Sequence, residues 1–491
     1  MGYESKTAWS VVEGNTSPFL DWMPAVSSTS AAGKKLLQRT MFGLVPSFIQ
    51  RRIRPLATNQ QRLHRTSYLD GLRGVASFVV FMGHYTEENL GWYTEAYGLH
   101  EDGATSSPLQ LPIIRVLYSA RPMVHIFFII SGYVLAYKPL MQTHSQQYSA
   151  LAHTLSSSIF RRALRLFLPS LITLFFMAVA VYSGLSDARY APQFPRLSSQ
   201  LQHWWLSCWD LSVVVWLNGI EPFIPAYNPA LWTIPVEFTQ SLLLFAVLLG
   251  LSRCIVNVRL LLLAGIVAFC FYSGQLYSVE FLGGMFIAEI SLLNDRSPSP
   301  TSSPTLPKYS LYDENEKPKC GKSIKKTAMQ AFCVASLVCG LFIASWTNNY
   351  PEEVWGIQFL NAHPPKPYEG QRVWFCLGAF QIVLACTQLQ YLKDIFNTPI
   401  AQYLGNISYA LYLTHNLCLR ALEPRVAPRI ERWFGKTTST GRHLNWVFGL
   451  VIYLPIIIWV ADVFWRVVDT PSVKFAKWLE SKCIAEVEKM P

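Results

Sequence analysis

The sequence predicts an all-α fold, a polytopic bundle of transmembrane helices. Composition is the first sign. Of 491 residues, 51% are hydrophobic and only 14% charged, too few charges to cover a soluble body of that length. The second sign is a series of apolar runs, among them LRLFLPSLITLFFMAVAVY, SLLLFAVLLGL, VRLLLLAGIVAFCFY, TAMQAFCVASLVCGLFIASW and WVFGLVIYLPIIIWVADVFW. Each approaches the roughly 20 residues that a helix needs to cross the hydrocarbon core. The third is that basic residues gather between the runs, as loops on a cytosolic face do. Lipid leaves no water to satisfy backbone amides, so the spans are helices.

Spans are expected at 67–86, 121–138, 165–183, 231–250, 257–275, 278–293, 327–346, 371–389, 399–419 and 445–465, about ten in an up-and-down order. Ahead of the first lie Lys34, Lys35, Arg39, Arg51, Arg52, Arg54, Arg62 and Arg65, which place that end in the cytosol. Arg161, Arg162 and Arg165, then Arg253 and Arg259, then Arg466, Lys474 and Lys477 fall on the same side in this order. Both termini are therefore expected to be cytosolic. Residues 1–66 form a basic extension, 67–466 the membrane domain, and 467–491 a cytosolic tail. Segment 294–326 is Ser/Pro-rich and then basic, and reads as a disordered cytosolic loop. The formal net charge of +11 reflects these loops and not nucleic-acid binding. No basic–apolar–small pattern opens the chain, so the first span is expected to serve as its own insertion signal. HWWLSCWDLSVVVWL (203–217) is short and carries Asp210. It is placed as an interfacial or re-entrant segment, because its tryptophans suit the headgroup region. The ten cysteines show no CxxC pair and no metal-ligand spacing, and read as small buried hydrophobes. No metal and no bound cofactor is expected.

The first span poses the functional question. YLDGLRGVASFVVFMGH carries Asp70, Arg73 and His84. Asp70 and Arg73 are one turn apart. His84 follows Arg73 by eleven positions, which rotates it by only about 20° and moves it about 16 Å along the axis. All three share one face. The plainer reading is a self-neutralised pair at one interface and a histidine at the other. The functional reading is a face turned into the bundle. Arg121 and His125, spaced i,i+4 at the outer end of the second span, are expected to lie near His84, with Ser131 and Gly132 as a packing notch. Arg162 and Arg165 present two guanidinium forks at the cytosolic start of the third span, suited to phosphates. Glu237, His415 and Asn416 are expected towards the outer side.

YLDGLRGVASFVVFMGH, FFIISGYVLAY, RRALRLFLP, LWTIPVEF and LGNISYALYLTHN together resemble the acyltransferase 3 family of integral-membrane acyltransferases, in its fungal flavour. The five stretches occur in the family's order over residues 68–416. The resemblance implies transfer of an acyl group, usually acetyl, from acyl-CoA as co-substrate to a hydroxyl. It implies that His84 is the catalytic base and that Arg162 and Arg165 serve the acyl donor. Asp70, Arg73 and Glu237 match motif positions grouped with catalysis, and His415 ends the late motif. Arg121, His125 and Ser131 are grouped with donor or substrate binding from their positions in the second span.

The chemistry also stands on the residues. A histidine can take the proton of a hydroxyl as it attacks a thioester, and arginines at the cytosolic mouth can hold the phosphates of CoA. Expected partners are a small-molecule hydroxyl acceptor, acyl-CoA and the lipid bilayer, with no nucleic acid. The acceptor is a fungal secondary metabolite, a carbohydrate or a lipid. The membrane is an endomembrane or the plasma membrane. A second class stays open on the residues alone: a polytopic transporter whose ionisable groups form a proton or substrate path.

Overall fold

The computed structural model describes residues 41–53, 63–89, 93, 95–98, 106–187, 189–214, 223–296, 320–435 and 437–484. Every regular element among them is helical, and there is no strand. In chain order these are α1 (Ser47–Ile53), α2 (Ser67–Asn89), α3 (Ala120–His144), α4 (Tyr148–Tyr182), α5 (Leu197–Val213), α6 (Thr233–Leu251), α7 (Val256–Tyr272) and α8 (Leu276–Arg296). They continue as α9 (Cys320–Ala344), α10 (Ile357–Ala362), α11 (Arg372–Gln388), α12 (Gln390–Phe396), α13 (Pro399–Phe434), α14 (Ser439–Phe464) and α15 (Thr470–Cys483). Residues 1–40, 54–62 and 297–319 lie outside the described residues, so most of the basic extension and much of the expected loop do too.

Each expected span coincides with a helix. By length and composition, six helical stretches can cross a hydrocarbon core, or seven if α11 and α12, bent by 96° at Leu389, count as one. The expected spans at 67–86 and 399–419 belong to helices whose composition falls short of that test. The reason is burial: α2 packs against α13 and α3, and a helix enclosed by protein need not be apolar all round. The span at 257–275 becomes α7, apolar but 17 residues long. Segment 203–214 belongs to α5, also 17 residues, or about 25 Å. It packs on α4 and turns Trp205 and Trp209 outward. Helix α9 begins at Cys320, inside the segment 294–326 expected as loop. The last proline before it is Pro318, beyond which nothing breaks a helix. The expected tail is helical too: α14 runs through a π turn at Trp465–Asp469 into α15. Arg161 of α4 pairs with Glu480 of α15 at 3.0 Å.

Two crossings are built on glycine. On α2 and α13, a Cβ added at Gly74 would collide with the backbone of Leu404 and Gly405, and one at Gly405 would reach the Asp70 carbonyl. On α3 and α8, Gly132 abuts the Phe281 backbone and Gly284 the Ile129 carbonyl. The expected notch at Gly132 is thus a helix–helix contact. Close approach lets polar groups bond across α2 and α13. Arg73 Nε donates to Ser408 Oγ (3.1 Å), Ser77 Oγ to the Ser408 carbonyl (2.8 Å), and Gln402 Nε2 to the Ser67 carbonyl (2.8 Å).

Helix α1 is tied down as well. Asp462 of α14, fully buried, accepts from Ser47 N (3.1 Å) and Ser47 Oγ (2.5 Å), from Tyr403 OH (2.9 Å) and from Arg466 Nε (2.7 Å). A buried carboxylate needs such partners.

The α2–α13 crossing should tolerate no side chain. Gly74→Ala is expected to cost about 1–3 kcal/mol by overpacking, read as a lowered melting temperature in detergent. An unchanged melting temperature would show that the crossing has slack.

Candidate active site

Helix α2 delivers two sites, one at each end. At its C-terminal end, His84 stacks on His415 of α13, ring centroids 5.3 Å apart and planes 16° off parallel. His415 is fully buried. Its Nδ1 lies 3.1 Å from the Leu411 carbonyl. A carbonyl only accepts, so Nδ1 carries the hydrogen and Nε2 is a bare acceptor. His84 is partly open, with 36% of its side chain exposed. Its Nδ1 is 3.7 Å from Glu87 Oε2, and Glu87 Oε1 accepts from Asn348 Nδ2 at 2.6 Å. Beside them Asn416 Nδ2 donates to Asn228 Oδ1 (2.9 Å), while Asn228 donates to the Leu413 carbonyl (3.1 Å). These bonds fix the α13 turn that carries His415.

The N-terminal end of α2 meets a guanidinium cluster. Arg73 Nη2 pairs with Asp70 Oδ1 at 3.2 Å, the i,i+3 contact expected from spacing. Arg162 of α4 is buried; its Nη2 lies 2.6 Å from Glu237 Oε1 and its Nε donates to Ser241 Oγ at 2.8 Å. Ser131 Oγ also donates to Glu237 Oε1, at 2.8 Å. Arg165, one turn on from Arg162, is exposed and makes no ion pair among the described residues. The charges that act on it come from Arg162, Arg73 and Asp469. Asp469 closes the π turn between α14 and α15 and acts on both Arg165 and Arg73. The helical pair Arg162/Arg165 therefore divides: one fork is held by Glu237 and the other is free for an anion.

The structure brings together most of the expected groups but regroups three. Glu237 does not sit with the histidines. It lies in the arginine cluster, because α6 packs on α4 so that Glu237 faces Arg162. His125 does not reach His84. Its Nδ1 pairs with the buried Glu280 of α8, and its ring packs against Phe375 of α11. Arg121, one turn earlier, acts on Glu87; the α2–α3 hairpin thus brings one of the two residues to His84. Ser131 is committed to Glu237.

Sequence reasoning missed Glu87, Asn348, Asn228 and Asp469. Glu87 was visible as an i,i+3 neighbour of His84. Asn348 and Asn228 lie on loops with no periodic signal. A second buried group was also missed: His144 Nε2 (2.8 Å) and Arg259 Nη2 (2.5 Å) both reach Glu289 Oε1, joining α3, α7 and α8.

Residues 66–466 match the model of the acyltransferase 3 family, described as an acyltransferase domain, and the chain belongs to that family. It is an acyltransferase and an integral, multi-pass membrane protein. It is similar to the O-acetyltransferase PaAT-1 of Phomopsis amygdali, with 29% identity over 482 residues, 91% of this chain and 90% of that one. It is also similar to the acyltransferase clz18 of Cochliobolus lunatus, at 25% identity over 83% of this chain and 94% of the relative. A third relative, the acyltransferase R4 of Phoma sp. (strain ATCC 20986 / MF5453), is 27% identical over 72% and 82%. No solved structure matches. The transporter alternative gives way to the enzyme.

Removing one partner of a buried ion pair leaves the other charge stranded. Glu237→Ala is expected to destabilise by about 3 kcal/mol, seen as early unfolding or loss of monodispersity in detergent. Wild-type stability in that variant would contradict the pairing with Arg162.

Proposed function

We propose that the enzyme moves an acyl group, usually acetyl, from acyl-CoA to a hydroxyl of a small molecule, a fungal secondary metabolite. One observation carries this reading. A single helix, α2, bears Arg73 in the guanidinium cluster and His84 in the imidazole pair, about 16 Å apart along its axis. That separation suits a donor whose phosphates and thioester lie at opposite ends of a thin arm. The fungal relatives are acyltransferases, one of them an O-acetyltransferase, and support the acyl group and the hydroxyl.

Arg165, with Arg73 beside it, holds the CoA phosphates at the cytosolic mouth. Arg162, neutralised by Glu237, sets the wall from which Arg165 projects. The pantetheine arm runs along α2 and brings the thioester to His84. The acceptor hydroxyl gives its proton to His84 as its oxygen attacks the carbonyl carbon. The tetrahedral oxyanion collapses, the C–S bond breaks, and the CoA sulfur leaves with the proton that His84 held. Transfer is direct, without an acyl-enzyme; an acyl group recovered on His84 during turnover would replace this route with a two-step one. The arginine mouth faces the cytosol, where acyl-CoA is found, and the bilayer is an endomembrane or the plasma membrane.

The test uses purified enzyme in detergent with labelled acetyl-CoA and a metabolite extract as acceptor source. His84→Ala is expected to lower CoA release by about 10²–10⁴-fold, the usual worth of a general base. Arg165→Ala should raise KM for acetyl-CoA by about tenfold or more, the scale of one lost charge-assisted contact, with a smaller effect on kcat. CoA release that survives His84→Ala would remove His84 from the role of base. Failure of the wild type to bind or consume acetyl-CoA would overturn the donor assignment.

A further inference from the structure

Glu87 and Asn348 have no part in the chemistry above, yet Glu87 lies beside Nδ1 of His84 and Asn348 holds Glu87. An imidazole acts as a base through one nitrogen only when the other carries the hydrogen. Unaided, it divides between two tautomers and turns about its side-chain torsions. The stack on His415 fixes the plane of the His84 ring, but a face-to-face contact cannot choose a tautomer. The bare Nε2 of His415 lies in the stacked ring, and no hydrogen bond joins the two imidazoles among the described residues.

The carboxylate of Glu87 makes that choice. It lies one turn after His84 on α2, with Oε2 3.7 Å from Nδ1. Catalytic contacts of this kind are often long in an empty site and close as charge develops. A carboxylate only accepts, so it favours Nδ1–H and leaves Nε2 bare. Its own position is set from outside the helix. Asn348, on the loop after α9, donates to Oε1 at 2.6 Å, which leaves Oε2 to His84. Arg121 of α3 supplies the facing positive charge. The groups around His84 are thus Glu87 on its own helix, His415 on α13 and Arg121 on α3. Of these, Glu87 carries the negative charge that can both accept from Nδ1 and balance an imidazolium.

We propose that Glu87, held by Asn348, is the positioning residue that fixes the tautomer of His84 and stabilises its imidazolium during acyl transfer. The proposal rests on the function proposed above, since it assigns Glu87 a role only through His84. No bond to substrate forms at Glu87, and no proton leaves Nδ1.

A double-mutant cycle read by single-turnover CoA release tests it. Glu87→Gln is expected to lower kcat by about 10²-fold with KM for acetyl-CoA unchanged. In a His84→Ala background the same substitution should change the residual rate by less than about twofold, because groups that act as one unit are non-additive. Asn348→Ala should give a smaller loss, about tenfold, that also disappears without His84. It serves as the second probe if Glu87→Gln does not fold. Glu87→Asp should recover part of the lost rate. Equal losses with and without His84 would make Glu87 a structural residue and overturn the proposal. Full activity of Glu87→Gln alongside a crippled His84→Ala would overturn it while leaving the proposed function standing. Full activity of His84→Ala would overturn the His84 assignment itself.

Discussion

The close crossing of α2 and α13 is the contact on which the site depends. Glycines at 74 and 405 let the two backbones approach until side chains of one bond the main chain of the other. That approach does two things at once. It seats Arg73 against Ser408 and Gly405 at one end, and it lays His84 on His415 at the other. A larger residue at the crossing would separate both ends together. In the proposed function, donor clamp and base are therefore spaced by the rigid rise of one helix and oriented by its contact with a second.

The remaining helices solve the cost of burying charge. Several deeply buried ionisable groups meet a partner on another helix: Arg162 with Glu237, His125 with Glu280, Arg259 and His144 with Glu289, and Asp462 with Ser47, besides Arg466 one turn on. These pairs add little net stability relative to apolar packing, but breaking one is costly. They fix the register of α3, α4, α6, α7 and α8 around α2. Arg165 differs from these, being exposed and without an ion pair among the described residues, and it is the arginine that the proposed function gives to the donor.

Much of this was legible before any coordinates. The shared face of Asp70, Arg73 and His84 follows from helical geometry within one segment, and the structure places them so. The notch at Gly132 is a real contact. What the sequence could not reveal is which faces meet. Glu237 was expected with the histidines from its position in the chain, yet its azimuth on α6 turns it to Arg162. His125 and Arg121 share a face of α3, but α3 packs on both α2 and α8, and the two residues meet different partners, Glu280 of α8 and Glu87 of α2. Asp469 closes a π turn, which shifts its side chain and every later one from the α-helical wheel. Asn348 acts from a loop, where no period constrains position. Helix composition follows from the same cause: α2 and α13 are too polar to pass as lipid-facing spans because protein packs around them.

The most direct measurement is a cryo-EM structure of the enzyme with a non-hydrolysable acetyl-CoA analogue. The expected result is phosphate density against Arg165 and Arg73, with the acyl carbonyl close to His84 Nε2 at the other end of α2. An acyl group seated away from His84, for instance beside His125 and Glu280, or phosphates bound away from the arginine cluster, would contradict the account that one helix carries both the clamp and the base.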